Sequence, residues 1–141
     1  MIRAVIDTNV VLSAILWGGK PAQILYKANE GQIQLISSNE LLAELLDVFA
    51  RPKFLSRLQL IGNTPEGLVA GYQTLIELVE AATIPSRIAE DPDDDAVLAC
   101  AVSGKANYIV SGDDDLLRVV MYEQIPIVTV SQFLDHLNTA K

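Results

Sequence analysis

Two short apolar runs in this chain end on acids: IRAVI, residues 2–6, runs into Asp7, and YIV, 108–110, runs through Ser111 and Gly112 into Asp113, Asp114 and Asp115. Short aliphatic runs closed by polar residues read as buried strands. In an open parallel sheet, chemistry gathers at the carboxyl ends of the strands. A fold that makes these two strands neighbours therefore lets Asp7 and Asp113 converge, with Gly112 permitting the sharp turn between strand and acid.

The rest of the chain alternates helical and strand-like patterns. VVLSAIL is a helix broken by GGKP at 18–21, and PAQILYKANEG is a second helix ending on Gly31. QLIS, 34–37, is a short strand, followed by the amphipathic helix SSNELLAELLDVFA, where Ser37 and Glu40 have capping-box spacing. After RPKF, a helical region breaks at Gly62 to Pro65 and resumes as a long helix through GLVAGYQTLIELVEA, with ATIP, 82–85, as a short strand. Asp91 before Pro92 starts the helix DDDAVLACAVSG, whose small residues let it lie close to a sheet and which ends at Gly104. NYIV, DDDLLRVV, IPIVTV and SQFLDHLN then read as strand, short helix, strand and terminal helix. This alternation predicts an α/β fold, a mostly parallel sheet covered by helices on both faces, in one domain spanning residues 1–141.

Two further acids join Asp7 and Asp113. Asp91 and Asp95 are four apart and share a helix face, and Asp95 precedes Leu98, Ala99 and Val102 at spacings that turn it inward, leaving Asp93 and Asp94 more solvated. Glu44 stands at the margin of the stripe formed by Leu41, Leu45 and Val48, whereas Glu40 is explained by a cap. Singly, each acid suits a helix start or a solvated surface. Crowded at one sheet edge, they repel one another, and a hard cation with oxygen ligands resolves that repulsion. Magnesium or manganese fits. Carboxylate-held ions activate water and stabilise the attacking and leaving oxygens of a phosphoryl displacement, so phosphodiester hydrolysis is the expected chemistry.

Competing sites fail on named residues. A calcium loop starting at Asp91 needs Gly at its sixth place and Glu at its twelfth, where Ala96 and Val102 stand. No GxGxxG or GxxxxGK[ST] occurs, and a single His and a single Cys disfavour zinc. Cys100, in AVLACAV, reads as a small buried hydrophobe, and His136 as a surface or packing residue. The net charge of -8 argues against a nucleic-acid partner only superficially, because ten of the eighteen acids belong to the clusters and the rest of the chain is slightly basic. Bound cations change the sign that a phosphate meets. No apolar run approaches the roughly 20 residues of a membrane span, and the first residues read as a strand rather than a leader, so the expected location is cytoplasmic.

The ordered set VIDTNVVLSA, SNELLAELLDVFARPKF and DPDDDAVLACAVSGKANYIVSGDDDLL resembles the PIN-domain nucleases, in particular the VapC-like toxins of prokaryotic toxin-antitoxin pairs. The similarity runs through nearly the whole chain and is weakest around 58–90. It implies a three-layer α/β/α fold and a magnesium- or manganese-dependent ribonuclease. Carried across, Asp7, Glu44, Asp95 and Asp113 are the catalytic and metal-binding acids. Asp91, Asp94 and Asp115 are then outer-shell or second-metal residues, and Thr8 and Asn9 orient Asp7 or a water. Ser111 stands where many members have threonine and keeps the hydroxyl. With no lysine or histidine near the acids, water is the nucleophile.

Phosphate contacts fall to Lys20 and to Arg51, Lys53 and Arg57 around Phe54, a group that also reads as an ordinary basic edge. The resemblance implies an RNA substrate, a small protein antitoxin and a homodimer, and single-stranded or loop RNA is the expected target because its bases and backbone are accessible. The apolar faces ILYKA and LLAELL suit either an interface or the core. Two alternatives are an aspartate-based phosphatase, which wants an acid where Asn9 stands, and an inactive PIN-like binding module, which predicts missing acids.

Overall fold

A computed structural model describes residues 1–81 and 92–139. ATIP and Asp91 lie outside the described residues. The elements run β1 (Ile2–Ile6), α1 (Thr8–Leu16), α2 (Gly19–Asn29), β2 (Ile33–Ser37), α3 (Asn39–Phe49), α4 (Pro52–Leu60), α5 (Pro65–Gln73) and β3 (Ile76–Leu78). They continue with α6 (Pro92–Ser103), β4 (Tyr108–Val110), α7 (Asp114–Val119), β5 (Met121–Tyr122), β6 (Ile125–Val128) and α8 (Val130–Thr139).

The strands of the described residues form one sheet in the order β3-β2-β1-β4-β6-β5, parallel throughout except for the hairpin of β5 with β6. Its alternation sorts the core into two layers, because successive side chains of a strand point to opposite faces. Ala4, Ile6, Ile33, Leu35, Val110 and Val128 meet α1 to α5 and α8 on one face. Val5, Ile36, Ile109 and Ile127 meet α6 and α7 on the other. The result is the expected three-layer α/β/α arrangement. Strands buried on both faces are largely apolar, with Arg3 of β1 and Gln34 of β2 only half-buried, which is why they were legible as short apolar runs. The LLAELL face is core, with Leu41, Leu42 and Leu45 buried.

The strand order reverses direction between β1 and β4: β1 leads to β2 and β3 on one side, and to β4 and β6 on the other. The crevice at such a switch point, beyond the strands' carboxyl ends, is where open α/β sheets bind ligands.

Three local expectations are corrected. The cap of α3 is Ser38, whose side chain accepts the Leu41 N–H, while Ser37 closes β2, so no capping box forms with Glu40. The long helix expected over 67–81 stops at Gln73, where the Thr74 hydroxyl turns back to the Gly71 carbonyl at 2.6 Å. The chain then becomes β3, pairing Ile76 with Leu35 and Leu78 with Ser37. Pairing along the open edge of β2 overrides the helical preference of IEL, with the Arg3–Glu77 ion pair at 2.6 Å lying across the strands. Finally, the last strand is preceded by β5, joined to β6 through Glu123 and Gln124, both at positive φ (50° and 66°), the sign that a two-residue hairpin turn of type I′ demands. Glycine or asparagine usually marks this turn, so its sequence signal is missing here.

Candidate metal centre at the switch point

Asp7 leaves β1 with extended backbone, and its N–H donates to the Val110 carbonyl at 2.9 Å, prolonging the β1–β4 ladder by one residue. Its carbonyl receives the N–H groups of Val10 and Val11 at the start of α1, but its side chain makes no cap hydrogen bond. Backbone bonds thus set the carboxylate beyond the strand end, and Asp7 is 6% exposed.

Ser111 connects it to the next strand. The Ser111 N–H donates to Val128, fixing the residue after β4. Its fully buried hydroxyl donates to Asp7 Oδ2 at 2.8 Å and accepts the Asp113 N–H at 2.9 Å. A hydroxyl has one proton to give, so donation to Asp7 commits it and leaves its lone pairs for Asp113. Asp113 in turn caps α7, its Oδ1 accepting the Asp115 N–H at 2.9 Å.

The third acid comes from the other helical layer. Asp94, 4% exposed in the first turn of α6, offers an oxygen to a group with Asp7 and Asp113 in which all three carboxylate oxygens lie within 4.8 Å of one another. The buried Oδ2 atom of Asp94 takes no hydrogen bond from the described residues, although the residue makes other contacts. Like charges at that distance repel by about 3–4 kcal/mol per pair at an effective dielectric near 20. Positive charge or a proton must offset this. A cation whose oxygen ligands lie at about 2.1–2.5 Å sets opposite ligands about 4–5 Å apart, matching the spacing of this all-oxygen set.

The sequence turned Asp95 inward and left Asp94 more solvated, whereas Asp94 is the more buried of the two. Val97, Leu98, Cys100 and Ala101 are the buried face of α6, whereas Val102 is 38% exposed. Asp94 precedes Val97, Leu98 and Ala101 by three, four and seven residues and so faces inward; Asp95 is half-buried, a helical step of about 100° away. Glu44 is half-buried on α3, also outside the group of three. Asp114 is exposed, and Asp115 pairs with Arg118 at 2.9 Å.

An open groove of about 730 Å³ adjoins the acids, lined by Asn9, Val10 and Ser13 of α1, Pro21, Gly112, Asp113 to Asp115, Arg118 and Val130. Thr8 is buried and lines a separate small cavity with Ser37 and Leu41. Of the basic residues, Lys20 reaches Ser131 at 3.3 Å and Arg51 pairs with Asp47 at 3.5 Å. Arg57 donates to the Leu16 carbonyl at 3.1 Å and lies over the Trp17 ring, and Lys53 lies over Phe54. Trp17 carried no signal in the sequence because it neither ends a strand nor belongs to a motif.

Other reactive side chains stand apart from this chemistry. Burial pushes the Cys100 thiol up to about 12, a hydrogen bond with Ser38 opposing it only in part. Such a thiol is a core residue and not a nucleophile. His136 bonds the Tyr108 hydroxyl at 3.0 Å on α8.

No curated protein matches the chain. Among solved structures it is similar to a crystal structure of VapBC2 from Rickettsia felis bound to a DNA fragment from their promoter. The TM-score is 0.61 at 14% identity, over 91% of this chain and 98% of that one, a likeness of fold. The family model of the PIN domain matches residues 3–115, a span that begins in β1 and ends just beyond Asp113 and takes in all three converging acids: the chain belongs to the PIN domain family.

Proposed function

We propose that this protein is a divalent-metal-dependent endoribonuclease and the toxin of a toxin-antitoxin pair. The observation that carries this is the meeting of Asp7, Asp94 and Asp113 at the switch point of a PIN-domain sheet. Three oxygen donors with neither histidine nor cysteine among them suit magnesium or manganese better than zinc. The chemistry supplied by a bound divalent cation is acidification of water and neutralisation of phosphate charge.

The chain's own part is to hold and orient. Asp7, Asp94 and Asp113 are the ligands, Ser111 fixes Asp7 and the Asp113 backbone, and the groove beside Asp113 admits the RNA backbone. Glu44 and Asp95 stay in the proposal as further carboxylates of the site, both half-buried, Glu44 midway along α3 and Asp95 in the first turns of α6. A small antitoxin covering the acids, a homodimer and a cytoplasmic location belong to the same reading. The VapBC2 likeness supports a partner of that kind, and among the described residues no helix is long and apolar enough to cross a membrane.

The test is cleavage of a mixed structured RNA pool with magnesium, manganese or EDTA. Wild type is expected to cut with either metal and not with EDTA. Asp7→Asn and Asp94→Asn are expected to lose more than about 100-fold, since each removes a ligand, and Asp95→Asn and Glu44→Gln to lose less. Cutting that survives EDTA or Asp7→Asn unchanged rules the reading out, and no cutting under any metal points to a binding module.

A further inference from the structure

The nuclease reading leaves one exposed feature unused. Trp17, the chain's single tryptophan, is 58% exposed at the end of α1. Asn9 and Ser13, which line the groove beside the acids, precede it by eight and four residues, so all three lie along one stripe of α1. The Trp17 N–H closes the helix onto the Ser13 carbonyl at 3.0 Å, continuing the helical path to the ring. At about 1.5 Å per residue, the indole stands about 15 Å along the helix from Asp7, a distance that a few nucleotides of extended strand bridge.

Two neighbours hold the ring. Phe54 meets it edge-on with centroids 6.2 Å apart, and the Arg57 guanidinium lies 5.6 Å from its centroid. Arg57 is fixed by its bond to the Leu16 carbonyl, which turns the guanidinium into a support for the indole while its charge faces the surface. Lys53, one turn earlier on α4, adds a second cation 4.9 Å from the Phe54 centroid. A cation on one side of an indole whose surface is more than half open is the arrangement that stacks an unpaired base and holds the adjoining phosphate.

We propose that Trp17, with Arg57 and Lys53, forms a binding subsite for single-stranded RNA, stacking an unpaired base a few nucleotides from the bond at the acids. The proposal deepens the nuclease reading and rests on it for the class of substrate. It also separates two demands on one acidic molecule. The metal-holding acids act on one phosphate, while the attraction for the strand comes from a cationic, aromatic surface at the other end of α1.

The single tryptophan makes the test direct. Wild-type protein in EDTA is titrated with oligouridylate while indole fluorescence is followed. Stacking is expected to quench the emission, and Lys53→Gln to weaken binding about ten-fold and reduce its salt dependence. In the metal-loaded cleavage assay, Trp17→Ala is expected to raise KM for RNA far more than it lowers kcat. Because Leu60 and Ile61 are also exposed at the end of α4, poly-L-glutamate is the control: quenching by it and not by oligouridylate makes the surface one for acidic peptides and overturns the proposal. Active cleavage with no quenching overturns the proposal and leaves the nuclease intact. Quenching without cleavage under any metal upholds the subsite and removes the catalytic reading.

Discussion

Ser111 is the residue on which the acidic cluster turns. Its hydroxyl, fully buried, is the bond between Asp7 and the Asp113 backbone. Ser111→Ala leaves a buried carboxylate oxygen short of a donor and a backbone N–H short of an acceptor, at a cost of about 1–3 kcal/mol. It is expected to weaken magnesium or manganese binding by about 10–100-fold, measured by calorimetric titration, with Ser111→Thr retaining affinity because the hydroxyl survives. Unchanged affinity in the alanine variant would remove Ser111 from the site. Asp7 and Asp113 could be found from sequence because a strand end fixes where a side chain points. Asp94 and Asp95 could not be told apart so, because helical phase is set by the face of α6 that meets the sheet, and Val102 marked the wrong face.

The end of α6 packs tightly against the sheet. A Cβ on Gly104 would lie 2.6 Å from Ile36 Cγ2 and 3.1 Å from the Cys100 carbonyl oxygen, so the end of this helix lies on β2 at a distance only glycine allows. Ile36 is itself 1% exposed and cannot give way. Gly104→Ala is therefore expected to cost about 1–3 kcal/mol, read as a lower urea midpoint; an unchanged midpoint would show that the helix end can lift without penalty. That small residues bring this helix close to the sheet was legible in AVLACAVSG. The conversion of IEL into β3 was not, since a three-residue edge strand depends on its partner β2, which a local pattern does not contain. The same holds for the hairpin of β5 and β6, whose positive-φ residues are Glu123 and Gln124.

For the molecule as a whole, the three acids set a balance between stability and ligand binding. Without a cation, Asp94→Asn removes repulsion among Asp7, Asp94 and Asp113 and is expected to raise Tm. With magnesium or manganese at 100 times Kd, wild type gains about 2.7 kcal/mol, a rise of roughly 10 °C for a chain of this size. The variant should show little of that rise, and equal shifts by scanning calorimetry in both proteins would mean that Asp94 is no ligand. The alternation of the chain conveyed the layered sheet, and two strand ends conveyed the edge where the acids meet. The strand order, which makes β1 and β4 neighbours, emerges only from the assembled fold. The bond from Ser111 to Asp7 joins residues 104 positions apart, and Ser111 is itself held by Val128 at the end of β6. Asp7 is translated 121 residues before Val128. A nascent chain therefore carries its acids as separate charges while the intervening residues are made, and the centre closes only when β6 has left the ribosome and docked.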